Sequence, residues 1–126
     1  MSVMHTADLF RSDNDLAGLT LRCGRTEIEV LVILLQSLSP RARPQVSLAE
    51  GGTRAHFTAT VAPPGTAILL PAEASTLASG PWQNLRELEL EIDIDIDNDG
   101  STIRGVIPLE GLADALHVLR INCPSR

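Results

Sequence analysis

From Glu87 to Asp99 every odd position is Asp or Glu, and from Leu88 to Ile96 every even position is Leu or Ile. Side chains of a β-strand point alternately to its two faces. The pattern therefore predicts a strand with Leu88, Leu90, Ile92, Ile94 and Ile96 turned to a core and seven carboxylates along the other face. A slip of one residue would exchange the faces completely, so the expectation is all-or-none. Asp99-Gly100 suits a two-residue type I′ turn, in which both central residues need positive φ. Folding there pairs Asn98 with Ser101, Ile96 with Ile103, Asp95 with Arg104 and Ile92 with Ile107.

The rest of the chain follows the same logic at lower contrast. Leu19 and Leu21 alternate with Thr20 and Arg22. Glu27 and Glu29 lead into the apolar run Val30–Leu35, a strand that begins exposed and becomes buried on both faces. Gln45–Leu48 and Arg54–Val61 read as strands joined at Glu50-Gly51-Gly52, and Ala67–Leu70 as a short apolar one, with proline-bounded turns between. Pro71–Ser79 reads as a short helix or turn that stops at Gly80-Pro81. A last helix is expected to open at Pro108, where a missing N–H costs nothing, and to bury Leu109, Leu112, Ala113, Leu116 and Leu119. The expectation is a mainly β domain: a small sandwich or partly open antiparallel barrel of about seven strands with a packed C-terminal helix. Residues 1–17 are expected to be loosely ordered and 18–124 to form the single domain.

Charge and composition exclude several classes of function. Of 126 residues, sixteen are acidic and ten are Arg, with no Lys, for a net charge of −6. The alternating segment supplies seven of the acids, leaving nine against the ten arginines. Such a surface repels phosphate backbones, so nucleic acid is not an expected partner. No apolar stretch reaches the length of a membrane span. Phe10, Phe57 and Trp82 are the only aromatics, so the core must be aliphatic, with Trp82 as a core plug.

The acidic segment has two readings. In one, it is a solvated face whose like charges discourage edge pairing. In the other, Glu87, Glu89, Glu91 and Asp93, with Arg104 among them, form a binding surface. Asp95, Asp97 and Asp99 before Gly100 also match the first half of an EF-hand loop. The second half fails, since Val106 stands where a bidentate Glu is required. That excludes an EF-hand and leaves a weaker calcium site at the turn as the alternative. Glu110, Asp114 and His117 share a helix spacing, which a polar solvent face explains as well as a metal site does. There is no nucleophile elbow, zinc helix signature, P-loop or dinucleotide fingerprint. No catalytic residue and no cofactor is assigned.

Cys23 and Cys123 stand near opposite ends of the fold. Two readings apply: a disulfide closing a loop of about 100 residues, or two reduced thiols of a cytosolic protein. Residues 1–15 lack the basic start, apolar middle and small-residue cleavage site of a signal peptide. This is expected either of a cytoplasmic protein or of a mature exported one whose leader has been removed.

The strand Leu19-Thr20-Leu21-Arg22-Cys23, the run Glu29-Val30-Leu31-Val32, and Ile107-Pro108-Leu109-Glu110-Gly111-Leu112-Ala113-Asp114-Ala115-Leu116 resemble small exported bacterial proteins. The likeness is to the invasion-associated locus B proteins and the accessory lipoproteins of type VI secretion. It implies a small β-sandwich, a cysteine after an early strand, and a closing helix opened by an apolar-Gly-apolar step. It carries no catalytic residues. The implied role is a periplasmic or secreted accessory domain that binds a protein or surface component. The rivals are a cytoplasmic adaptor or assembly subunit with free thiols, and a small hydrolase with an unrecognised site.

Overall fold

The computed structural model describes residues 2–24, 27–50, 52–63, 65–94 and 101–123. Its strands are β1 (Ser2–Thr6), β2 (Leu16–Cys23), β3 (Ile28–Leu34), β4 (Gln45–Glu50), β5 (Thr53–Thr58), β6 (Thr60–Ala62), β7 (Ala67–Leu69), β8 (Glu87–Ile94) and β9 (Ser101–Pro108). Helix α1 is Ala72–Ala78, a 3-10 turn spans Pro81–Asn84, and α2 is Leu112–Asn122. The strands form two antiparallel sheets, β1-β2-β3-β7-β6 and β5-β4-β8-β9. Both sheets are open and neither closes into a barrel, so the sandwich form of the expectation holds.

The inner faces pack as the alternation requires. Leu19, Leu21, Val30, Val32 and Ile68 from one sheet join Val46, Leu48, Leu88, Leu90, Ile92, Ile94, Ile103 and Ile107 from the other in one aliphatic cluster. Trp82 is fully buried among them, as a plug should be. Removing apolar surface from water is the driving force, roughly 1.5–3 kcal/mol for each such side chain. Ser75 is the one buried polar residue among the described residues, and its hydroxyl donates to the Ile28 carbonyl, which fixes α1 on β3.

Four features differ from the sequence-based expectation. Residues 2–6, expected to be loosely ordered, form β1 against β2. Gly18 permits this, because a Cβ there would strike the His5 carbonyl. Arg54–Val61 is two strands rather than one: the chain crosses between sheets at fully buried Ala59, whose N–H donates to the Pro44 carbonyl. Pro108 ends β9 instead of opening the helix. Gly111, left-handed at φ 80°, is the N-cap, so Leu109 is buried ahead of the helix and Ala113 faces solvent.

The fourth difference is register. Ile92 lies opposite Ile103, Glu91 opposite Arg104, and Ile94 opposite Ser101. The expected pairs, Ile92–Ile107 and Asp95–Arg104, are displaced by four residues. A shift of four preserves the strand's two-residue period, so both registers set apolar against apolar, and patterning alone does not separate them. Ser101 lies opposite Ile94 rather than Asn98; the Asp99-Gly100 turn expectation falls on residues 95–100, outside the described residues. β8 is also an interior strand, with β4 on its other side, so its acids do not guard an edge.

Candidate functional site

Sheet pairing assembles a polar outer face on the four-stranded sheet. Register places His56, Ser47, Glu91 and Arg104 in one row across four strands, Arg54, Ala49, Glu89 and Val106 in a second, and Thr58, Gln45, Asp93 and Thr102 in a third. Neighbours within these rows bond to one another. Ser47 Oγ and His56 Nδ1 are 2.9 Å apart, Thr58 donates to Gln45 at 3.1 Å, and Thr102 donates to Asp93 at 2.9 Å. Arg104 Nε lies 3.4 Å from Glu91.

The residues of the binding-surface reading, Glu87, Glu89, Glu91, Asp93 and Arg104, thus share this face. Glu87 has a partner from far along the chain: Arg11 clamps it with two guanidinium bonds of 3.0 and 2.6 Å and also reaches Asp8 at 2.9 Å. The hydrogen bonds from Arg11 hold both carboxyls below their ordinary values, and the same bonds raise the guanidinium. All of these groups are water-exposed, where ion pairs contribute little stability. The clamp acts mainly to position the segment around Asp8. Glu89 and Arg54 have no side-chain bond among the described residues. A shallow depression of about 190 Å³ lies here, lined by Arg11, Arg54, Glu89, Glu91 and Arg104, with Val106 among its other walls.

Residues 8–13 also cover one edge of this sheet. Asp8 N–H donates to the Val106 carbonyl at 2.9 Å and Asp13 N–H to the Arg104 carbonyl at 2.8 Å. In return, Arg104 N–H donates to the Asp13 carboxylate at 2.8 Å and Val106 N–H to the Ser12 hydroxyl at 2.9 Å. Gly105 sits beneath, since a Cβ would strike Leu16 and Ser12.

The calcium candidates Asp95, Asp97 and Asp99 lie outside the described residues. Among the described residues no three His, Cys, Asp or Glu side chains are grouped to hold a metal. Ser47 and His56 are a pair that sequence reasoning missed, because nine residues and a hairpin separate them. They lie on an open sheet face, joined through Nδ1. In hydrolase triads that nitrogen is instead oriented by a carboxylate.

Cys23 and Cys123 are bonded, with Cα atoms 5.6 Å apart, tying the end of β2 to the C-cap of α2. No helix among the described residues is long and apolar enough to cross a membrane.

The fold defined by these features is an open two-sheet β-sandwich, closed by a C-terminal helix and stapled by one disulfide. In comparison with known proteins, the chain matches no family model, no curated protein and no solved structure.

Proposed function

We propose that this domain is a non-enzymatic binding or accessory module that works outside the cytoplasm, in the periplasm or after secretion, through contacts with another protein or surface component. The observation that carries the reading is the Cys23–Cys123 disulfide. Such bonds persist in oxidising compartments and are reduced in the cytosol. The resemblance of the Leu19–Cys23 strand and the Ile107–Leu116 segment to small exported bacterial proteins supports the same direction. An outer sheet face that presents arginines and carboxylates side by side, some bonded to one another and others, such as Arg54 and Glu89, left without a side-chain bond among the described residues, suits recognition by surface contact. Among the described residues no carboxylate bonds to the imidazole of the Ser47–His56 pair on that face, which favours binding over hydrolysis.

Protease added to intact spheroplasts of the producing cell is expected to remove the protein without lysis. Protection until lysis would overturn the extracytoplasmic reading. Ester turnover by the purified protein that disappears in Ser47→Ala would overturn the non-enzymatic one.

A further inference from the structure

The two edges of the four-stranded sheet are treated differently. Along the middle of β9, Arg104 and Val106 have their outward N–H and carbonyl groups bonded to residues 8–13. At the other edge, among the described residues, β5 pairs only with β4. In an antiparallel ladder alternate residues direct both backbone groups away from the partner. Among the described residues, no backbone group of Thr53–Thr58 bonds to anything beyond that ladder. Folds commonly blunt an edge of this length with Pro, a bulge or an inward-pointing charge. β5 has no Pro, its register with β4 runs without a shift, and its inner-face residues are Ala55 and Phe57. Phe57 packs on the core yet stays half-exposed at the rim.

We infer that the β5 edge is a docking line for an extended segment of a partner protein, which adds as a fifth strand with apolar residues on its inner face and acidic residues on its outer face. A strand laid beside β5 places its side chains directly opposite those of β5, on the same faces. Inner positions would cover Ala55 and Phe57. Outer positions would meet His56, Thr58 and Arg54, the last having no ion pair among the described residues. A second copy of this chain fits less well: with faces matched and the strands centred on His56, the two-fold sets His56 against His56 and Arg54 against Thr58, leaving Arg54 without a carboxylate. Backbone bonds would supply affinity, and the alternating side chains specificity. The inference rests on the binding reading above.

The test uses octapeptides of alternating Val and Glu, alternating Val and Arg, and the Val/Glu composition with its alternation broken. Binding is followed by anisotropy, and the docking site by amide hydrogen exchange. The alternating Val/Glu peptide is expected to bind, to slow exchange within residues 54–58, and to lose about tenfold in affinity with the exposed variant Arg54→Glu, the size of reversing one cross-strand charge contact. The broken pattern should not bind. Binding by the Val/Arg peptide alone would overturn the inference in favour of the acidic face. A protein dimer with protected β5 amides would overturn it in favour of a second copy. Failure of every peptide with a monomeric protein would overturn the edge as a docking line, while the spheroplast result would still decide the binding module's location independently.

Discussion

Replacing Ile92 with Ala probes the face on which the acidic strand is built. Ile92 is fully buried in β8, between Val46 of β4 and Ile103 of β9. The change deletes three carbon groups, at about 0.8 kcal/mol each by transfer. β8 is held on both sides by strands, so the site can collapse only in part, and the residual cavity adds about another 1 kcal/mol. The expected loss is therefore about 3–4 kcal/mol. The paired control is Asp93→Asn. Asp93 is exposed one residue along, so neutralising it should change stability by no more than about 0.5 kcal/mol. Urea unfolding followed by the fluorescence of Trp82, the single tryptophan, reads both variants. An Ile92→Ala loss below about 1 kcal/mol together with an Asp93→Asn loss above about 2 kcal/mol would mean the two faces are exchanged, and the reasoning would be refuted.

Ser75→Ala leaves the Ile28 carbonyl without its donor in a buried setting, which should cost about 1–3 kcal/mol in the same assay. Gly105→Ala should cost about 1–3 kcal/mol by forcing buried Leu16 aside, and should raise proteolysis within residues 8–13. Stability should also fall with acid in two stages. Burial lowers the His5 imidazole below its ordinary 6.5, so the unfolded chain takes up that proton first; stability is full above 6.5 and is lost as pH falls through the window beneath. Asp8 and Glu87 have their carboxyls lowered by the bonds from Arg11, so their contribution is present above the ordinary carboxylate values and is lost as pH falls below them. Urea midpoints between pH 7.5 and 3 would show both stages, and His5→Gln should flatten only the first.

The sequence legibility of this fold depends on where an element's information lies. The inward set of β8 was readable because thirteen consecutive residues repeat one period. Its register was not, because displacements of zero and four residues bury the same aliphatics. The Asp99-Gly100 turn signal favoured the tighter hairpin, whereas the observed pairing sets Glu91 beside Arg104 and Asp93 beside Thr102. β1 was hidden because five mixed residues carry little pattern, and its place depends on Gly18 in another strand. The break at Ala59 was hidden for a similar reason: both halves alternate well, and only the sandwich assigns them to different sheets. At the site, the carboxylates of β8 were legible as a group, but their partners were not. Arg11 lies 76 residues from Glu87, and the Ser47–His56 contact exists only through the hairpin register.

The disulfide carries the most weight in the functional account. Closing a loop of 100 residues should contribute about 4.7 kcal/mol in the chain-entropy model, so the melting temperature of the purified protein should drop on reduction. The most direct measurement is made on the protein in its own cell. Cells are quenched in acid, thiols are blocked with a mass-tagged maleimide under denaturing conditions, and the protein is compared with and without prior reduction. The account predicts no tag before reduction and two tags after it, on Cys23 and Cys123. Two tags before reduction would contradict it and return the chain to the cytosolic reading with free thiols.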